Sequence, residues 1–171
     1  MFVNWSRFIF PGDKAGRLGV LRFKVLFTAM LVAFVIYGLF QWVLWPVQIL
    51  GDSMLPNYHA GERHFINKLA YLTDKPLRGD VVGVRVSNGD TYIKRIIGLP
   101  GEVVGFCDGV VYINGTLLQE SYVETRVPKD FGMDGEGVKL RAETYYVMGD
   151  NRAVSVLGKI SIGQIVGKVT F

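Results

Sequence analysis

The chain has 171 residues, half of them apolar, with a mean hydropathy of +0.28 and a net charge of +4. That length accommodates one globular domain with a real core plus a membrane segment, and the lone cysteine, Cys107, excludes an intrachain disulfide. The charge is lopsided. Residues 1–24 hold Arg7, Lys14, Arg17, Arg22 and Lys24 against Asp13 alone, and the rest of the chain carries equal numbers of each sign. The basic character therefore belongs to a tail that reads as a cytoplasmic membrane flank, and no nucleic acid partner is expected. The two histidines, His59 and His64, form no HExxH pattern and no Cys/His cluster, so neither a metal nor any other cofactor is expected.

After the tail, residues 25–45 read VLFTAMLVAFVIYGLFQWVLW without a charge. This is about the 20 residues a helix needs to cross a hydrocarbon core. Only Thr28 and Gln41 are distinctly polar; Arg22 and Lys24 flank one end and Trp42 and Trp45 the other. A cleaved leader would have a shorter apolar stretch and a small-x-small exit, whereas this run ends in LWPVQ. The expected organisation is a basic tail over 1–24, a transmembrane helix over 25–45, and a domain over 46–171. The positive-inside rule places the tail in the cytoplasm and the domain outside.

Beyond Pro46 the pattern changes to short β-like runs broken by glycine, aspartate and proline. Strands are predicted near 63–66, 81–86, 91–98, 102–106, 110–113, 116–119, 144–148 and 165–170. A short helix is predicted over 67–72, and an exposed excursion over 124–143. Asn114-Gly115 between VVYI and TLLQ signals a type I′ hairpin. The fold class is mainly β: an antiparallel domain on one N-terminal transmembrane helix.

Three stretches could carry chemistry: GDSMLP (51–56), YIKRIIGLPGE (92–102) and MGDNRAVS (148–155). In the second, alternation places Lys94 and Arg95 on opposite faces of a strand, so one of two adjacent cations points inward or toward a partner. A lysine amine among apolar groups loses its proton more readily and becomes a base fit to activate a serine hydroxyl. The strand alone leaves an ordinary half-exposed lysine as the simpler reading. His59 and His64 read as exposed or structural, and Met54 as an apolar residue against the membrane surface or a substrate-groove wall.

Taken together, the stretches resemble the bacterial type I signal peptidases, membrane-anchored serine–lysine proteases that remove signal peptides from exported proteins. The resemblance runs from about residue 20 to the C-terminus. Gly51-Asp52-Ser53-Met54 with Pro56 is similar to the family's nucleophile box, Gly79-Asp80-Val81-Val82 to a strand start, and residues 92–101 to its lysine box. Tyr112-Ile113-Asn114-Gly115 is similar to its hairpin, and Met148-Gly149-Asp150-Asn151-Arg152 to its last box.

The resemblance implies Ser53 as nucleophile and Lys94 as general base. It also implies backbone groups around Gly51, Asp52 and Ser53 as the oxyanion site, and Ser155 as a hydroxyl that hydrogen-bonds the lysine. Some family members carry an oxyanion serine where this chain has Gly51. The family continues its last box as GDNR-x-x-S-x-D-S-R, where this chain has GDNRAVSVLGKI. Either Leu157 and Lys159 stand where an aspartate and an arginine brace the site, or the segment is deleted and Gly158 takes up the family's later glycine; both leave Asp150, Asn151 and Arg152 as candidate braces. The implied partners are signal-peptide-bearing preproteins and membrane lipid, and the implied location is a bacterial plasma membrane. Two other readings stay open: a specialised processing peptidase, for example for a conjugative pilin, and an inactive homologue acting as a membrane-tethered binding protein.

Overall fold

The computed structural model describes residues 14–124, 137–155 and 158–170, with side chains of the N-terminal helix described from Arg22 onward. The first thirteen residues of the tail, most of the 124–143 excursion, and Leu157 lie outside the described residues. The chain divides into two units, 1–42 and 43–171.

In the first unit a helix, α1, runs over Lys14–Val43. Its segment Arg22–Val43 is long and apolar enough to cross a membrane, and its side chains are largely exposed. The polar groups within it bond locally. Thr28 Oγ1 donates to the Lys24 carbonyl at 2.9 Å, and Gln41 Nε2 donates to the Tyr37 hydroxyl at 3.0 Å. Such self-satisfaction is what an apolar medium demands.

The second unit is antiparallel β throughout its described strands. These are β1 (Leu44–Gln48), β2 (Arg63–Asn67), β3 (Val81–Arg85), β4 (Thr91–Gly98), β5 (Val103–Cys107), β6 (Val110–Ile113), β7 (Thr116–Leu117), β8 (Val138–Lys139), β9 (Thr144–Met148), β10 (Gly158–Ser161) and β11 (Ile165–Thr170). A seven-stranded sheet has the order β1-β2-β11-β3-β4-β9-β10, and a four-stranded sheet the order β7-β6-β5-β8. Ile97, Tyr146 and Met148 of the first sheet pack against Val104, Phe106 and Val111 of the second, with Leu140 beside them. A second cluster, Val82, Val84, Ile96, Tyr145, Val147 and Ile160, also forms on β3, β4, β9 and β10. Ile96 and Ile97 thus serve different clusters, as strand alternation requires.

The hairpin over β6 and β7 bears out its signal. Asn114 and Gly115 both have positive φ, 51° and 81°, the geometry a type I′ turn imposes. Asn114 Oδ1 also accepts the Val103 amide at 2.8 Å.

Three expectations need correction. The helix ends at Val43, and Trp45 lies in β1, an edge strand where Pro46 is tolerated because only one side is paired. Lys68 Nζ sits over the Trp45 ring at 4.9 Å. No helix forms over 67–72; the segment is a series of turns, started by Asn67 Oδ1 capturing the Leu69 amide. Finally, β8 and the buried Leu140 lie within the stretch read as an exposed excursion, because Gly137 lets the chain return against Val103 and Val104.

Candidate active site

Ser53 lies in a tight run of turns between β1 and β2. Met54 fixes that run from below. Its side chain is buried with Ile49, Tyr58, Ile66, Val81, Ile93 and Val169, and its carbonyl accepts the amides of Asn57 and Tyr58. The neighbouring serine is thereby held at the surface of a core it does not enter.

Lys94, in the middle of β4, reaches this serine: its Nζ lies 2.5 Å from Ser53 Oγ. The lysine is 3% exposed. Burial pushes its pKa down from 10.5 to about 8, and the nearby Asp150 carboxylate opposes the shift. At pH 7 about one such amine in ten is neutral, against about one in three thousand for an unperturbed lysine.

The turn after β9 holds the serine from the other side. The Asn151 amide donates to the Ser53 carbonyl at 3.1 Å, and Asn151 Nδ2 donates to the Asp52 carbonyl at 3.1 Å. Gly149 comes so close that a Cβ there would lie 2.1 Å from the Ser53 carbonyl oxygen and 2.3 Å from Ser155 Oγ, which explains the glycine. The Gly149 amide donates to Ser155 Oγ at 2.8 Å. Ser155 is buried and lines the same groove as Lys94, but its described hydrogen bond is to Gly149, and the lysine's is to Ser53.

Two buried ion pairs brace this turn. Asp150 is fully buried and accepts a bidentate pair from Arg95, Nε at 2.7 Å and Nη2 at 2.5 Å. Asn57 Nδ2 donates to the same carboxylate at 2.9 Å. Arg95 also donates to the Gly79 carbonyl and stacks over the Tyr122 ring at 4.2 Å. Arg152, 2% exposed, donates to the Gly149 carbonyl and grips Glu120 with both terminal nitrogens, at 3.0 and 2.5 Å. Lys159 lies exposed on β10, opposite Tyr146.

A groove of about 790 Å³ runs across the serine. One wall is Val47 to Gly51 and the other Asp90 to Lys94, with Met54, Val154 and Ser155 between. Both walls offer free strand edges. The described pairing of β1 is with β2 alone, and β4 pairs with β9 only from Arg95 onward, so Thr91–Lys94 are laddered on the β3 side alone. Gly51 is exposed, and the position its side chain would fill is open. Among the described residues the Ser53 amide has no hydrogen-bond acceptor.

The chain matches the family model described as signal peptidase, peptidase S26, over residues 21–171. The chain belongs to that family. It is similar to signal peptidase I of Bacillus amyloliquefaciens, 39% identical over 74% of this chain and 72% of the relative. It is 37% identical to signal peptidase I T of Bacillus subtilis, over 86% of this chain and 81% of the relative. A solved signal peptidase I from Enterococcus faecalis aligns with 57% of this chain and 98% of its own, at 29% identity and a TM-score of 0.46.

Within this S26 chain, sequence reasoning missed several residues of the site. Asn57, Glu120 and Tyr122 carried no motif, and Arg95 was legible only as the neighbour of Lys94. The described hydrogen bonds of both histidine rings are to Glu62, at 3.1 and 3.2 Å.

Proposed function

We propose that this chain is a membrane-bound serine endopeptidase that removes signal peptides from exported preproteins, with Ser53 as nucleophile and Lys94 as general base. One observation carries the reading: a buried lysine amine, its proton loosened by desolvation, 2.5 Å from a serine hydroxyl in a groove. The neutral amine accepts the Ser53 proton while Oγ attacks the scissile carbonyl carbon. The resulting oxyanion is stabilised by backbone N–H groups around Gly51, Asp52 and Ser53. The lysine ammonium then protonates the leaving amine, the peptide bond breaks, and an ester to Ser53 remains. Lys94, again neutral, deprotonates a water that hydrolyses the ester.

The groove suits an extended substrate, because strand edges in both walls offer backbone partners to an added strand. Asp150, Asn151, Arg152 and Ser155 act as positioning residues in this scheme. The apolar helix supports membrane anchoring, with residues 1–24 cytoplasmic, residues 25–45 spanning and residues 46–171 outside the bacterial plasma membrane; the helix end moves the exit to Val43. Incubating the full chain in detergent with a preprotein and sequencing the new N-terminus tests the reading. Ser53→Ala and Lys94→Met should each abolish cleavage and labelling of the serine by a penem while the domain stays folded. Activity retained in either variant overturns the dyad.

A further inference from the structure

The described lining of the groove across Ser53 contains one amine side chain, Lys94, and one carboxylate, Asp90. They stand four residues apart on the same wall, Lys94 at the serine and Asp90 in the turn immediately before β4. The intervening Thr91, Tyr92 and Ile93 border the groove, and the opposite wall is aliphatic at Val47, Ile49 and Leu50. Asp90 is exposed, and its position is defined. Its amide donates to Asn88 Oδ1 at 3.0 Å, and Asn88 Nδ2 donates to its Oδ2 at 2.6 Å. The hairpin turn between β3 and β4 therefore presents a carboxylate at the groove end remote from the nucleophile.

A peptide added to the free edge of β4 can extend in one direction only. Past Lys94 the edge is occupied by β9, which pairs with Arg95 and Ile96. The bound strand must run from the serine toward Asp90. The half of the substrate retained there is the acyl half, since it must stay bound through the ester while the leaving half departs. At about 3.3 Å per residue, Asp90 falls about 13 Å from Lys94 along the strand, level with a side chain three to five residues before the scissile bond.

We propose that Asp90 is a specificity-determining residue that favours a lysine or arginine side chain three to five residues before the cleaved bond. The inference rests on the peptidase reading above. A long cationic side chain suits the site on both counts: its methylene stem lies along the aliphatic wall while its charged head meets the carboxylate. Because Asp90 is exposed, the preference is modest and salt-sensitive.

The experiment uses the full chain in a neutral detergent and peptides with alanine at the first position before the bond, and at the third wherever that position is not the one being varied. Lysine, serine or glutamate is placed in turn at the third, fourth and fifth positions. At low salt the lysine peptide should exceed the glutamate peptide in kcat/KM by about five-fold at one of these positions, and the ratio should shrink in high salt. Asp90→Asn, which keeps an oxygen for Asn88, should bring that ratio to near one, and Asp90→Lys should invert it. An unchanged ratio in Asp90→Asn, or equal cleavage of all peptides by the unaltered chain, overturns the role of Asp90 and leaves the peptidase reading standing. Failure of the folded, unaltered chain to cleave any of these peptides overturns both.

Discussion

Lys94 and Arg95 are consecutive on β4, and both are withdrawn from water, yet the chain treats their charges in opposite ways. Arg95 is given a carboxylate in bidentate contact, a carbonyl and an aromatic face. Burial alone would lower its pKa, and the hydrogen bonds it donates to Asp150 reverse that, so it stays charged. Lys94 is given a hydroxyl and an apolar strand, and its charge is left poorly compensated. The difference separates a structural cation from a chemical one: full pairing fixes a proton, and incomplete pairing frees it. Alternation along the strand required one of the two adjacent cations to point inward or toward a partner; Lys94 is buried, and Arg95, only partly exposed, is paired with Asp150.

The largest test of this contrast is Lys94→Met. It should lower kcat by about a thousand-fold or more, since the base is lost. It should also stabilise the fold at neutral pH. The folded chain releases the Lys94 proton more readily than the unfolded chain, so unfolding takes up a proton between about pH 8 and 10.5. Stability therefore rises with pH through that window, and below it the charged lysine imposes its full cost, on the order of 3 kcal/mol. Chemical denaturation of the two proteins should show the advantage of Lys94→Met at pH 7 and its disappearance above pH 10.5.

Breaking the paired cation should act the other way. Arg95→Met strands a fully buried carboxylate and should cost about 3–5 kcal/mol. Where activity persists, the unpaired Asp150 should hold the Lys94 proton more tightly and move the acid limb of kcat/KM to higher pH. Asp150→Asn removes the carboxylate that opposes the lysine's shift and should move that limb to lower pH. Limbs moving in the same direction would refute the electrostatic account. Gly149→Ala probes contact rather than charge. Its Cβ has no room beside Ser53 and Ser155, so a loss of about 1–3 kcal/mol and a fall in kcat with little change in KM are expected.

The smallest effect belongs to Gly51→Ser. The new side chain enters open space, and stability should change by less than about 0.5 kcal/mol in thermal unfolding. An added hydroxyl facing the oxyanion should raise kcat by up to about ten-fold.

Much of this was legible before the structure. Alternating runs and an Asn-Gly turn located most strands, because both signals are local. Ser53, Lys94 and the GDNR turn were singled out by the resemblance of their boxes, in order, to those of the family, and the structure brings them together at one groove. The helix end was misplaced because Leu44 and Trp45 are as apolar in an edge strand as in a membrane helix. Residues 67–72 looked helical by composition, and one Asn67 side chain redirected them. The Arg152–Glu120 pair was illegible because its partners are 32 residues apart and Glu120 has no motif. Asp150 and Arg152, candidate braces already in the last box, are tied to Arg95 and Glu120, and only those two partners were hidden from the sequence.

The Asn151 side chain that holds Asp52 lies 99 residues downstream of it, and the Asp150 carboxylate that holds Asn57 lies 93 downstream. Strand β11, later still, is inserted between β2 and β3, on either side of which lie the serine turn and the lysine strand. The N-terminal half of the domain thus contains Ser53 and Lys94 but not the turn that holds the serine in place. On the peptidase reading proposed above, a chain emerged only as far as β4 would carry Ser53 and Lys94 without the late turn that holds the serine, so the working centre would form last.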